Sequence, residues 1–476
     1  MPNKLSESVT QNASTATLRR VLGLWSAVCL VVGSVIGSGI FLVPTRMIAE
    51  VGSTRMLFVV WIVGGLLSLF GALTYAELAA AMPEAGGEYV YLSEAYSPFW
   101  GFLYGWTQLA VAKSGSIATL ATGFYLYLTV FIPAFSKTIF VVPYPIGPNG
   151  GPLEIHVGQL FSIGVILVLL AINYVGVKAA GNLQVVITVV KMLLIGAVIV
   201  IGLTGTGDVA HFHLSAGHGN GFVGFIAALV GALWAYDGWN NVSMVASEIR
   251  EPQRNLPRAL IFGTLAVIAT YLLINLAYFY VLTPTEVAHS DQVAASMMAR
   301  IHGSLAARGI TIAVLISMFA ALNGSVLSGS RVPYAMARDG LFVRAIGVVH
   351  PKFKTPSNSM VALCLWSCVI ILSGWFEQLY NFVIFGSWIL YMMTAASVFI
   401  LRRKRPDMVR PYRVVGYPVV PALFVVAASI LLVSTLIHSP RESIMGLGIM
   451  LLGVPIYFHY RRQREVAADV HPSDKY

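Results

Sequence analysis

Charge is scarce in this chain. Of its 476 residues only 11% are Asp, Glu, Lys or Arg, against 57% that are hydrophobic, and the mean hydropathy is +0.78. Apolar runs of about 20 residues, enough to cross roughly 30 Å of hydrocarbon, exclude a soluble enzyme and place the chain in a bilayer. Cysteine is almost missing: Cys29, Cys364 and Cys368 all fall inside predicted helices, so no disulfide framework is expected. Cys364 and Cys368 share a helix face without a histidine or carboxylate beside them, which removes a metal site there. Histidines such as His156, His438 and His459 fall in loops or at span ends, leaving the membrane interior without the usual base of hydrolytic or metal chemistry. His211, His213 and His218 lie together in a glycine-rich loop, a poor metal cage, and neither a metal nor a cofactor is expected. No filter loop or ring of pore-lining residues suggests a channel. The polar stretch Met1 to Ala16 lacks the apolar core and cleavage site of a signal peptide and reads as a disordered tail.

What is present is a series of apolar runs, which divide into twelve predicted spans. In the first half they lie at 22–49, 55–82, 98–132, 157–176, 179–203 and 221–248. In the second they lie at 258–283, 307–338, 358–375, 378–402, 417–437 and 441–460, with a helical hairpin loop near Thr285 to His302. Both termini then lie on one side. Lys and Arg identify it, because cytoplasmic loops carry their excess. The cluster Arg402, Arg403, Lys404, Arg405, Arg410 and Arg413, with the other loop and tail residues on that side, brings 21 of 30 basic residues to the cytoplasm, against six outside. The net charge of +10 is thus a topology signal and an attraction to anionic lipid rather than a nucleic-acid footprint. The expected organisation is a cytoplasmic tail over 1–21, a five-helix unit over 22–203, a second over 221–402, two further helices over 417–460, and a cytoplasmic tail over 461–476.

Two of these spans are interrupted. The first breaks at Gly37-Ser38-Gly39, and about 200 residues later the sixth breaks at Ala235-Tyr236-Asp237-Gly238. Glycine weakens a helix by about 1 kcal/mol against alanine, and bare backbone in lipid costs several kcal/mol per group. Such breaks survive only where they line a protected polar cavity. If a half-helix begins after Gly39 at mid-membrane, its unpaired amides and positive dipole end hold an anion such as a carboxylate. The preceding half-helix ends there too, and its free carbonyls around Val35 and Ile36, with those near Trp234 and Asp237, accept hydrogen bonds from an ammonium. One amino acid head group fits both. The breaks are five spans apart, an odd number, so the two halves enter the membrane from opposite sides about an axis in its plane.

The runs GSVIGSGIF (Gly33 to Phe41), YAELAAAMPEAGGEYVYLSEAYSP (Tyr75 to Pro98) and FGSWILYMMTAASVFILRRKRPD (ending at Asp407) resemble transporters of the amino acid–polyamine–organocation superfamily. AYDGWNNVSMVASEIREPQRNLPRA (Ala235 to Ala259) and LNGSVLSGSR (Leu322 to Arg331) are similar to its L-type amino acid transporter branch. The resemblance extends from about Leu22 to Tyr460 and implies an all-α LeuT-type fold, five helices plus five in inverted repeat with discontinuous helices 1 and 6. It also implies that Ser38 and Gly39 contact a substrate carboxylate. Val35, Trp234 and Asp237 would then contact the amino group through backbone carbonyls, and Trp234 would gate the site from outside. Ile36, Gly37, Ala235 and Gly238 complete the expected substrate-binding set.

Ionisable groups within spans cost roughly 2.5 to 3.5 kcal/mol each on insertion scales and need a reason. By the resemblance, Lys191 in span five projects toward spans one and eight, where sodium-coupled relatives hold a cation. It would stand in for sodium, bracing the first break against span eight near Gly37 and Ser317. It has two further readings, as a proton carrier and as a purely structural ammonium. Lys113 in span three and Asn323 in span eight are candidates for the side-chain pocket. Asp237 has three readings: it neutralises Lys113, caps a half-helix, or attracts a cationic substrate. The loop Pro83 to Pro98 is amphipathic and is expected at the cytoplasmic interface.

The resulting expectation is a secondary active transporter of amino acids in the cell membrane, working by alternating access, sodium-independent, an exchanger or proton-coupled, and favouring neutral substrates. Cationic amino acids or polyamines are the alternative, and a transporter-like nutrient sensor is the rival class. L-type relatives in animals join a single-span partner through a cysteine in the loop after span three. Phe131 to His156 has none, so no disulfide-linked accessory subunit is expected, and the protein is read as a monomer or weak homodimer in membrane lipid.

Overall fold

The computed structural model describes residues 17–144, 151–290, 292–374, 376–438 and 440–470. Most of the chain is helical, as hydrocarbon requires of any backbone that must satisfy its own hydrogen bonds. The first helices are α1 (Leu24–Val35), α2 (Gly39–Val51), α3 (Thr54–Ala81), α4 (Glu88–Ala95), α5 (Pro98–Thr107) and α6 (Lys113–Leu128). One π turn, Gln108–Ala112, joins α5 to α6. After the strands β1 (Thr138–Val142) and β2 (Leu153–His156) come α7 (Val157–Val175), α8 (Val177–Thr204), α9 (Gly221–Ala235) and α10 (Asn241–Met244). Then follow α11 (Pro252–Val281), α12 (Pro284–Ala288), α13 (Val293–His302), α14 (Ser304–Gly329) and α15 (Arg331–Arg338). The last are α16 (Ser357–Ser373), α17 (Phe376–Lys404), α18 (Val419–His438), α19 (Pro440–Leu451) and α20 (Gly453–Val470).

Among the described residues eight helices are long and apolar enough to cross a membrane singly, and α1 with α2 makes a ninth that bends by 44° at its break. Helices α9 and α16 are shorter apolar helices. The protein is a multi-pass, all-α membrane protein. Its interior is built from small residues and rings: Trp61 on α3 meets Tyr236 and Tyr271 edge-on, with centroids 5.6 and 5.3 Å away, beside the second break.

One face of the bundle carries both ends of the described chain. Leu18 packs with Tyr334 and Val349 there, and Val21 and Leu22 donate to the Glu248 carbonyl at 2.9 and 3.0 Å. Arg464 of α20 reaches Gly340 on the same face. Two ion pairs on buried carboxylates lie at this terminal face: Arg331 donates to both carboxylate oxygens of Glu248, and the partly exposed Arg402 does the same to Glu77. Each ties two spans together, because a buried carboxylate without a cation costs more than the pairing of both. Helix α4 is a short loop helix at this face, between the spans α3 and α5–α6.

One expectation changes, and two segments gain structure for which none was expected. The tail over 1–21 is not disordered at its end, since Leu18 is packed and Val21 is paired, while residues 1–16 lie outside the described residues. The tail over 461–476 is helical through Val470, with 471–476 outside the described residues. In the loop after span three, the β-branched run Thr138–Val142 pairs antiparallel with Leu153–His156.

Candidate substrate site

Both interruptions are present, and they touch. Helix α1 ends at Val35 and α2 starts at Gly39, while α9 ends at Ala235 and α10 starts at Asn241. At Gly39 a Cβ would lie 3.2 Å from the Ala235 Cα and 3.3 Å from the Trp234 ring, so the start of α2 rests closely on the end of α9 with room for little more than a glycine. Gly238 does the converse. Its φ of +107° suits glycine, and a Cβ there would lie 3.3 Å from the Ser34 carbonyl oxygen at the end of α1. Each half-helix end thus abuts the other break.

Hydrogen bonding at the breaks leaves donors free. The amides of Ser38, Gly39 and Ile40 donate to no backbone carbonyl among the described residues, as expected of a helix start without a side-chain cap. Ser38, Trp234 and Asp237 keep part of their surface open, whereas Gly37, Gly39, Ala235 and Gly238 are buried. Partly exposed residues thus stand beside buried ones at both breaks.

Tyr271 on α11 links the breaks, a role not legible in the sequence. Its hydroxyl lies 2.8 Å from the Ala235 carbonyl and 3.3 Å from the Val35 carbonyl. It is one tyrosine among 21, and nothing in its neighbours marks it.

On the other side of the first break Lys191 is fully buried on α8. Its ammonium donates to the Ile36 carbonyl at 2.7 Å and the Gly33 carbonyl at 3.0 Å, with Val32 at 3.5 Å. The Ser317 hydroxyl of α14 donates to the carbonyls of Ile36 at 2.9 Å and Gly37 at 3.2 Å. The Ile36 carbonyl, expected to be free for a substrate ammonium, already accepts from both. It belongs to the Lys191 cluster because its two lone pairs are engaged.

Lys113 follows directly on the π turn, which adds a residue to the helix and turns the ammonium inward. It donates to the Asn241 side chain on α10. Asp237 accepts from the Tyr391 hydroxyl of α17 at 3.2 Å, and no ion pair within 4 Å joins it to Lys113. Asp237 therefore faces the Lys113 charge without a direct ion pair, and its three readings stay open. Asn323 is fully buried in an amide network: it accepts from Asn173 at 3.0 Å and donates to Gln184 at 2.7 Å. Its side-chain bonds are thus spent on packing α14 against α7 and α8.

A family model described as amino acid permease matches residues 22–457. The chain belongs to that family. This permease is 33% identical over 450 residues to the serine/threonine exchanger SteT of Bacillus subtilis (strain 168), covering 94% of the chain and 98% of that relative. It is 31% identical over 448 residues to the b(0,+)-type amino acid transporter 1 of Mus musculus, covering 93% and 88%. To the large neutral amino acids transporter small subunit 2 of Homo sapiens it is 32% identical over 450 residues, covering 93% and 80%. The resemblance to the amino acid–polyamine–organocation superfamily therefore holds, and the permease is an amino acid transporter rather than an enzyme.

Proposed function

We propose that this transporter exchanges neutral amino acids across the cell membrane by alternating access around the hollow at its two broken helices. The observation that carries this is the free amides of Ser38, Gly39 and Ile40 facing the break where Tyr271 gathers the Val35 and Ala235 carbonyls. A carboxylate sits on the amides, and the ammonium sits among the carbonyls of Val35, Trp234 and Asp237. A zwitterion satisfies both ends at once, whereas an amine or an acid alone leaves one end bare. Trp234, beside Gly39, is the outer gate, its ring resting on the bound side chain.

The reciprocal seating of Gly39 on Ala235 and Gly238 on Ser34 supports twelve spans with two inverted five-helix units, since a pseudo-twofold axis relates such contacts. Lys191, bonded to carbonyls of the first broken helix with Ser317 opposite, stands in for a coupling cation and makes sodium unnecessary. The basic residues of the terminal face make that face cytoplasmic. The name of the human relative calls it a small subunit. Here all described cysteines, Cys29, Cys364 and Cys368, are free and lie in helices, so no disulfide-linked partner is proposed.

Lys113 and Asp237 both border the second break with opposite charges, which favours substrates with neutral side chains. Because Asp237 is not ion-paired, a cationic side chain is the second reading. Uptake of labelled amino acids into proteoliposomes tests both. Neutral substrates are expected to enter quickly only when unlabelled amino acid is loaded inside. Uptake equal in empty vesicles would contradict exchange. Cationic uptake that Asp237→Asn removes would favour the second reading.

A further inference from the structure

Three glutamates are buried toward the terminal face, and two of them hold arginine. Glu77 pairs with Arg402 and Glu248 with Arg331. Glu88, the first residue of the loop helix α4, is fully buried and has no ion pair within 4 Å among the described residues. Its Oε1 accepts from the Asn240 amide, in the unwound stretch just before α10. The second atoms of the same two groups, Glu88 Oε2 and Asn240 Oδ1, are both buried without a partner. A carboxyl that accepts from an amide through one oxygen can close a second bond to that amide's oxygen only when its other oxygen carries a proton. Two acceptors so placed repel unless a proton stands between them.

The groups that face Glu88 leave it without a compensating charge. From α3 comes Tyr75, from α4 itself Tyr91, from α5 Tyr104 and from α17 Tyr391, all neutral hydroxyls. The nearest cation is Lys113 on α6, whose ammonium is held by Asn241. Burial pushes the Glu88 carboxyl up to about 7.

From this geometry we infer that Glu88 and Asn240 form a proton-binding latch on the cytoplasmic side of the substrate site. One proton sits on Glu88 Oε2 and donates to Asn240 Oδ1 while this side is closed. When α10 moves away, the acid is exposed to water and the proton leaves to the cytoplasm. It returns from the cytoplasm on closing, so no net proton crosses the membrane. The latch rests on the alternating-access reading above and adds a titrating group to it.

Two measurements on the full-length protein in proteoliposomes test the latch. Infrared spectra titrated through about pH 7 are expected to show a protonated carboxylic acid band in wild type that Glu88→Gln lacks; absence of that band from wild type overturns the inference. For motion, Ser243→Cys on α10, a buried position, is labelled with a membrane-impermeant thiosulfonate. Relative to the same cysteine carrying Glu88→Gln, labelling is expected to rise by up to about tenfold per pH unit near neutrality. Equal pH dependence with and without Glu88 overturns the latch. Should Glu88→Gln not fold, Asn240→Ala serves, with fast labelling at every pH expected and wild-type pH dependence contradicting. Added amino acid is expected to change the labelling at fixed pH. If it does not while the band titrates, the alternating-access reading fails and the proton site stands.

Discussion

Lys191→Ala is expected to reduce amino acid exchange by about a hundredfold or more. The ammonium makes two short charge-assisted bonds, to Ile36 and Gly33, each worth about 1.5–3 kcal/mol when buried. Losing roughly 3 kcal/mol from the arrangement that holds the first break is about two factors of ten in its population. The cost is not confined to the missing bonds. Carbonyls of Gly33, Ile36 and Gly37 would then face one another with only Ser317 to satisfy them. A small cation is the natural replacement, so sodium is expected to restore part of the exchange in the variant and to leave wild type unchanged. Exchange rates measured in sodium and in choline buffers read this directly. Full activity of the variant in choline would contradict the role given to Lys191.

The second large effect is expected at Gly39. Valine there places its Cβ 3.2 Å from the Ala235 Cα, and its two methyl groups have only Ala235 and the Trp234 ring to displace. Overpacking of this kind costs about 1–3 kcal/mol. Because the strain falls on the contact between the breaks, it appears as weaker substrate binding, roughly tenfold to a hundredfold, rather than as unfolding. Gly39→Ala, whose Cβ needs only a few tenths of an ångström, is expected to lose less. Binding isotherms of the purified variants, with thermal unfolding as the fold control, give the ranking. Gly39→Val binding as tightly as wild type would show that the breaks need not touch.

Much of the architecture was legible because lipid leaves a chain few choices. Runs of about 20 apolar residues must be helices, and glycine inside two of them marks where backbone is open. That is why the breaks at Gly37 to Gly39 and at Ala235 to Gly238 could be named, and why Lys191 drew attention as an isolated charge. What escaped was the third dimension of ordinary residues. Tyr271 bridges both breaks, yet tyrosine in a span looks like core. Lys113 bonds Asn241, an amide whose place beside it depends on how α10 packs against α6, and no composition signal announces that. Asn323 meets Gln184 and Asn173 from other helices, and such pairings exist only once the helices are packed. Ile36 is the converse case: the sequence marks its carbonyl as open at the break, and neighbouring spans fill it with Lys191 and Ser317.

The central claim is that free amides at the start of α2 hold a carboxylate while carbonyls across the break hold an ammonium. Competition binding with purified protein tests it most directly, using a transported neutral amino acid, its carboxamide and its decarboxylated amine against the same labelled ligand. A site built to bond a charged group rejects analogues lacking it, so both analogues are expected to bind at least about a hundredfold more weakly than the amino acid. If the carboxamide or the amine competes as well as the parent amino acid, the amides of Ser38, Gly39 and Ile40 are not the carboxylate site and the account is wrong.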